Sequence, residues 1–406
     1  MNLTEEGKAI SIEEGLDILL QEGLASGGSF ALWRKPRTSH LTFIQDFSQS
    51  PRRVSLNLEE LPAGFIVHPF ADQEDKKAFF IQADRYEKLS LDSPLSQEDL
   101  PNWMQGHREA VDGAELKINI SKLLTSKTQY SATPTTAELA KEHYLQLVER
   151  GIQTIAEGSL EKIVPARTKV IPLPDGFDLG RTLATLLSQY PYSFVNFFHI
   201  PQVGTWMGAS PETLIKTEGD YFHTMSLAGT QPAQGNNPLK SAAWTQKEIE
   251  EQALVSRYIV DCFKTIRLRE YEEHGPKTIL AGNLLHLRSD FKVNMRSTGF
   301  ANLGSVMLSL LHPTSAVCGM PRKEAQAFLK AYEGFDRSFY AGFLGPVQIE
   351  GATSLFVNLR TASFRDGQVV LYAGAGVTED SDPEKEWEET ELKCEIIGKF
   401  IQNPYP

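Results

Sequence analysis

Several stretches of this 406-residue chain combine glycine, charge and apolar residues in ways that a plain core does not need. Lys162 opens the otherwise apolar run Lys162-Ile163-Val164-Pro165-Ala166-Arg167. Glu212 follows the small-residue bend Met207-Gly208-Ala209-Ser210-Pro211. The stretch Ser226-Leu227-Ala228-Gly229-Thr230 ends a strand in small residues, which lets backbone N–H groups approach a ligand. Glu251 extends the apolar face of a helix expected over 246–270, and a carboxylate there needs a partner, because an unpaired buried charge is costly. Glu386, Glu389 and Lys393 are spaced i, i+3, i+7 on a final helix and share one face. Carboxylates from two helices that meet without histidine suit a hard, oxygen-preferring cation such as Mg2+. Taken singly, each stretch has a plainer explanation: a strand-end lysine reaching solvent, a solvated turn, a salt-bridged helix face.

The elements that must position these residues are legible in outline. A helix and short strands at Ser29–Trp33, Leu41–Phe47, Gly64–Pro69 and Ala78–Asp84 occupy the first hundred residues. Residues 86–134 are polar and carry Pro94, Pro101 and Pro134, so they read as a linker or surface connection. Thr135-Thr136-Ala137-Glu138 has the capping-box pattern of a helix start, and Gly158 suits its end. β-like runs follow at Lys162–Leu173, Phe194–Ile200, Thr205–Ala209, Thr213–Thr217 and Tyr221–Leu227, with Glu218-Gly219-Asp220 as a hairpin turn. On the 246–270 helix, Ile249, Leu254, Val255, Tyr258, Ile259, Cys262, Phe263 and Ile266 are expected on one side. Strands return at 283–295 and 339–375, with Asp366-Gly367 as a second hairpin signal. A last helix spans about 383–400, with Pro383 in its first turn. Strands joined by tight turns, with helices between blocks, indicate an α+β fold with antiparallel sheets.

Composition narrows the function. With 40 basic and 52 acidic residues the formal charge is −12, which argues against a nucleic-acid partner. The chain is 41% hydrophobic and 23% charged, an ordinary globular mix able to bury a large core. Three well-separated cysteines, Cys262, Cys318 and Cys394, read as free thiols in a reducing compartment. No run approaches a membrane span, and the first residues have no signal-peptide pattern, so a cytoplasmic protein is expected. There is no GxxxxGK[ST], HExxH or GxSxG motif. The Gly374-Ala375-Gly376 pair has Glu379 where a dinucleotide fingerprint needs its third glycine.

Taken together the stretches resemble the chorismate-utilising enzymes: isochorismate synthase, salicylate synthase, anthranilate synthase component I and aminodeoxychorismate synthase component I. The resemblance runs from about Lys162 to the C-terminus through KIVPAR, GASPE, LAGT, KEIEEQALV, LLHPTSAVCGMP (310–321), FDRSFYAGFLG (335–345), VNLRTA (357–362), YAGAGV (372–377) and EWEETELK (386–393). Each motif is weak alone, but nine in family order are specific. The resemblance implies two large antiparallel sheets packed as a sandwich with helices outside. Residues 1–134 would form a variable part completing the sandwich, and 135–406 the chorismate-binding catalytic part.

The resemblance also implies roles. Lys162 would be the general base that activates water for attack at C2 of chorismate, where ammonia-using members usually carry glutamine. Glu212 would be the general acid for the departing C4 hydroxyl. Glu251 and Glu389 would hold Mg2+, with Glu386 reaching the ion through water. Arg360 and Lys393 would hold substrate carboxylates, and Gly229, Thr230, Ala316, Val317, Tyr340, Leu359 and Gly374 would line the pocket. Ala228 stands where aminodeoxychorismate synthases often carry a lysine that forms a covalent adduct, which argues against that branch. Gln252 departs from the Glu-His usual in the family, although glutamine can still donate a hydrogen bond. The physical logic is consistent. A dianionic substrate on an acidic protein needs a local cationic site, and an acid–base pair needs two groups pushed towards each other's protonation state. The expected activity is Mg2+-dependent isochorismate synthesis, at the entry to menaquinone or siderophore biosynthesis. Salicylate synthesis is the alternative, since it shares the lysine and adds pyruvate elimination. A non-catalytic chorismate-binding protein would lack the base, the acid or a metal ligand, and none is missing. No amidotransferase subunit is expected, and a monomer is favoured.

Overall fold

The computed structural model describes residues 10–71, 75–92, 137–235, 237–281 and 284–402. Helix α1 (Ile12–Ala25) precedes strands β1 (Ser29–Arg34), β2 (His40–Asp46), β3 (Arg52–Val54), β4 (Gly64–His68), β5 (Ala78–Gln82) and β6 (Arg85–Ser90). Helix α2 (Ala137–Ala156) leads to β7 (Lys162–Ile163), β8 (Ala166–Pro172) and helix α3 (Leu179–Gln189). Strands β9 (Phe194–Ile200), β10 (Gly204–Ser210), β11 (Thr213–Glu218) and β12 (Tyr221–Pro232) follow. Then come α4 (Pro238–Ser241), α5 (Gln246–Thr265), β13 (Glu272–Ala281), β14 (Leu284–Asn294), α6 (Met295–Thr298) and α7 (Leu303–Leu311). After β15 (Gly319–Met320) and α8 (Arg322–Tyr332) the chain forms β16 (Phe343–Val347), β17 (Ala352–Val357), β18 (Thr361–Arg365), β19 (Gln368–Gly374) and α9 (Pro383–Gln402).

The strands make an eight-stranded sheet, β6-β2-β1-β9-β10-β18-β19-β8, and a nine-stranded sheet, β13-β14-β12-β11-β17-β16-β4-β5-β3. A small third sheet pairs β15 with β7. Neighbours pair antiparallel, as at β9–β10, β10–β18, β11–β17 and β19–β8. Period-two alternation gives the eight-stranded sheet two apolar faces. Ala31, Trp33, Phe194 and Phe198 point to the inter-sheet core. Phe30, Leu32, Val195 and Phe197 point to a second core that also takes in apolar residues of α1, α3 and α9. The sheets meet through aromatic rings, Trp33 against Phe65 at 5.2 Å and Phe194 stacked on Phe356 at 4.0 Å. Strands β1, β2 and β6 end one sheet and β3, β4 and β5 end the other. The described strands before residue 91 are thus woven into both.

Most strands lie where the alternation places them, and Phe194–Ile200 agrees at both ends. Both hairpin signals hold: Gly219 has φ 55°, and Asp366 and Gly367 have φ 50° and 71°, the left-handed pair that a two-residue hairpin turn requires. The expected single strand Lys162–Leu173 is two, because Val164-Pro165 breaks the pairing between β7 and β8. Residues 86–90, expected to begin the polar connection 86–134, instead belong to edge strand β6, whose alternating exposure hides only Leu89. The rest of that expected linker and the Thr135-Thr136 cap lie outside the described residues, while Gly158 ends α2 with φ 79°. Helix α5 stops at Thr265 and buries Gln252, Val255, Ile259, Cys262 and Phe263. Ile249 is exposed, contrary to expectation. At 100° per residue it sits roughly 90° from the centre of that stripe. Strand β13 escaped the reading because its first half is polar and exposed.

Candidate active site

Two adjacent crossings between the sheets build the centre of the site. Strand β10 belongs to the eight-stranded sheet and β11 to the nine-stranded one. The link between them is Pro211-Glu212. Strand β17 returns from the nine-stranded sheet to β18 of the other through Asn358-Leu359-Arg360. The crossings are stitched together: Val357 N donates to Glu212 O at 3.1 Å, and Ala209 N donates to Arg360 O at 3.0 Å. Where a chain leaves one ladder for another, its side chains turn into the gap between the sheets. Arg360 turns there through a left-handed backbone, φ 49°, a conformation that non-glycine residues adopt at a cost and that gathers at functional sites.

Glu212 is 3% exposed. Burial pushes its carboxyl up to about 8, against the opposing pull of Lys162 and Lys393. It therefore carries a proton at neutral pH. Lys162 is wholly buried, and its Nζ donates to Glu251 Oε1 at 2.8 Å. Its strand is held on both sides, Met320 pairing with Lys162 and Val377 bridging to Ile163. Glu251 Oε2 accepts from Gly229 N at 3.3 Å. Burial raises the Glu251 carboxyl, but Lys162, Lys247 and Lys393 outweigh it and keep the group below its ordinary value. Gly376 makes this approach possible, because a Cβ there would lie 2.2 Å from Glu251 Oε1 and 3.2 Å from Lys162 Cε.

Arg360 is buried, and among the described residues no carboxylate pairs with it. Its guanidinium donates to Ala281 O at 3.0 Å and to Nε2 of His286. His286 Nδ1 lies 2.8 Å from Gly229 O. Burial and the Arg360 charge hold His286 well below its ordinary value. The ring is therefore neutral, donating from Nδ1 and accepting at Nε2. It orients the arginine without neutralising it. Lys393 Nζ reaches Gly374 O at 2.8 Å and Glu389 Oε1 at 2.7 Å. These groups line one partly enclosed cavity of about 80 Å³.

All nine residues expected to bind substrate line this cavity: Gly229, Thr230, Ala316, Val317, Tyr340, Leu359, Arg360, Gly374 and Lys393. Glu212, Glu251 and Glu389 join them, whereas Lys162 and Glu386 are not part of the lining. Lys162 meets the site through Glu251, and Glu386 is paired with Lys247. Tyr340 stacks on Tyr372 at 5.5 Å and Tyr372 on Trp206 at 5.2 Å, which ties the pocket wall to the inter-sheet core. Gln252 Nε2 donates to Ser226 Oγ at 2.8 Å, pinning α5 to β12 beside Glu251. Sequence reasoning missed His286, Lys247, Tyr372 and Gly376. The only signal for His286 was a polar residue in the apolar run Leu284-Leu285-His286-Leu287.

The three acidic residues expected at a metal fit Mg2+ in kind, offering carboxylate oxygens and no imidazole or thiolate. Burial and then the neighbouring charge of Glu389 push the Glu386 carboxyl up, against the pull of Lys247. Two carboxylates that repel in this way are served by a shared cation. Glu251, Glu386 and Glu389 are each paired with a lysine: Lys162, Lys247 and Lys393 respectively. Among the described residues no group of three or more potential ligands is gathered.

The profile of the family described as "Chorismate binding enzyme" matches residues 96–402. That is well over half of the chain, and the chain belongs to this family. It is 33% identical over 262 residues to the isochorismate synthase EntC of Escherichia coli (strain K12), a match covering 62% of this chain and 65% of that protein. It is 31% identical over 265 residues to the isochorismate synthase DhbC of Bacillus subtilis (strain 168), covering 62% and 66% respectively. The matches thus span just under two thirds of these relatives' lengths. Among solved structures, MenF, the menaquinone-specific isochorismate synthase from Escherichia coli, superposes with a TM-score of 0.70 at 22% identity, covering 94% of this chain and 91% of that one. Anthranilate synthase component I from Streptococcus pneumoniae superposes at 0.63 with 18% identity, covering 91% and 89%. These two likenesses establish the sandwich fold. All three cysteines are free and buried. Among the described residues no helix is long and apolar enough to cross a membrane.

Proposed function

We propose that this chain is an isochorismate synthase, converting chorismate to isochorismate by adding water at C2 and releasing the C4 hydroxyl. The observation that carries the reading is a buried, protonated carboxyl on the cavity wall, with a wholly buried lysine one carboxylate behind that wall. Glu212 is a carboxyl that keeps its proton, and Lys162 is wholly buried and donates to Glu251. In the neutral form that a general base requires, Lys162 Nζ takes a proton from the attacking water as the C2–O bond forms. The ring double bond shifts, the C4–O bond breaks, and Glu212 gives its proton to the leaving oxygen. One proton is taken up and one is released, so the ring product is an isomer of the substrate. Arg360, buried and, among the described residues, without a carboxylate partner, and Lys393 bind the two substrate carboxylates. Glu251 and Glu389 would hold Mg2+, with Glu386 reaching it through water, and the ion would neutralise a ring carboxylate and help charge develop during the displacement. Glycine at 376 and small residues at 228–229 let backbone and substrate come close.

The test is to incubate the purified protein with chorismate and Mg2+ and to resolve the products by chromatography with mass detection. An isomer of unchanged mass, reached from either direction, is expected. Salicylate with pyruvate would assign the chain to the alternative branch. No conversion, with or without ammonia, would refute an enzymatic role.

A further inference from the structure

Lys247 has no role in the steps above, yet it is placed with purpose. It is the second residue of α5, where the helix N-terminus carries partial positive charge and disfavours a cation. That end is already capped, since Glu248 accepts from Thr245 N at 2.8 Å. Lys247 therefore does nothing for its own helix. It reaches across to α9, where its Nζ donates to Glu386 Oε1. Glu386 is almost fully buried and Lys247 is one-quarter exposed. Its ammonium also feels more than one carboxylate. Besides Glu386, Glu251 stands one helical turn from Lys247 on α5, and Glu389 stands one turn from Glu386 on α9. These are the three carboxylates assigned to Mg2+.

We propose that Lys247 is a resident counter-cation that occupies the metal-site carboxylates in the absence of Mg2+ and must withdraw from Glu386 when the ion binds. The inference rests on the metal assignment made above. A single positive charge a few ångströms from the ion and its carboxylates weakens metal binding in two ways. It repels the divalent ion, and it has to be displaced from an oxygen that the ion's water would use. Its exposed quarter gives it somewhere to go, because a long flexible stem can carry the charged head out to solvent. Lys162 cannot do the same for Glu251, being wholly enclosed. Of the three lysines that pair with these carboxylates, Lys162 is fixed, Lys393 is assigned to substrate, and Lys247 is left free to withdraw. Without Mg2+, Lys247 keeps the buried Glu386 carboxylate, beside Glu389, from being left uncompensated in the protein.

The experiment is calorimetric titration of the full-length protein with Mg2+ alone, so that binding is read without turnover. Wild type, Lys247→Met, Lys247→Gln and Lys247→Arg are compared, with Glu389→Gln to identify the site. The methionine and glutamine variants should bind Mg2+ roughly tenfold tighter or more, as expected for removing one nearby charge. They should also unfold at lower temperature without Mg2+ and recover with it. The arginine variant should stay near wild type. If wild type binds at a site that Glu389→Gln removes, but neither neutral variant binds tighter, Lys247 is not a competing cation. If no protein shows saturable binding that Glu389→Gln removes, the metal assignment itself falls, and this inference with it.

Discussion

Glu212→Gln tests the burial argument and the acid role together. The Glu212 carboxyl sits at about 8 in the folded protein against an ordinary value of 4.5, with burial as the cause. A carboxyl whose folded value is raised contributes stability that is complete below its unfolded value and is lost as pH climbs through the folded one. The window here runs from about pH 4.5 to about pH 8. Within it each pH unit removes about 1.4 kcal/mol. Between pH 5.5 and pH 8 the loss comes to about 3 kcal/mol, allowing for partial ionisation at the upper end. Glutamine has nearly the same shape and does not titrate. Relative to wild type, Glu212→Gln should therefore gain about 3 kcal/mol of stability over that interval. Urea unfolding at the two pH values, with the denaturant slope checked for constancy, reads the difference directly. If the gap between the two proteins does not change with pH, Glu212 is not held protonated by burial. The same substitution removes the proton donor. Turnover should fall by about 10²–10⁴-fold with KM little changed, and the fall of wild-type activity above about pH 8 should vanish from the residual rate.

Lys162→Gln removes the proposed base and the buried cation beside Glu251, so the melting temperature should fall while the fold is kept; chorismate conversion should disappear, and retained turnover would dismiss Lys162 as the base. Arg360→Gln leaves one substrate carboxylate without its buried partner, a loss of about 2–5 kcal/mol in comparable pairs, so KM should rise about 30-fold or more with a smaller change in kcat. An unchanged KM would place the carboxylate elsewhere. Gly376→Ala puts a methyl 2.2 Å from Glu251 Oε1, and overpacking of about 1–3 kcal/mol at the site should cost about tenfold or more in turnover. Because this glycine's φ is ordinary, native activity in the alanine variant would show that Glu251 can move aside freely.

How far the site was legible follows from what each signal needs. The strand register came from period two, which is local, so β9 and both hairpins could be read directly. The nine pocket residues came from motifs in order, and all nine line one cavity. Ile249 went wrong because a helical stripe has edges, and its edge is set by where the partner sheet stops supporting it. His286 stayed hidden because a histidine in an apolar strand looks like core. Its role appears only when Arg360, 74 positions later in the chain, arrives at its Nε2. Lys247 was hidden for the same reason, with Glu386 lying 139 residues away.

The amino-acid sequence by itself therefore determined the α+β class, the antiparallel strands, the acidic balance with its local cations, and the residue types available for acid, base and metal work. Those properties depend on composition and on neighbours a few positions apart. Only the tertiary structure decided the protonation of Glu212, the neutral state of His286, and the pairing of each carboxylate proposed for Mg2+ with its lysine. These depend on how much water the surrounding elements exclude and on which charges they bring within a few ångströms. Such quantities arise where β10 crosses to β11 and β17 to β18, and nowhere in the local chain.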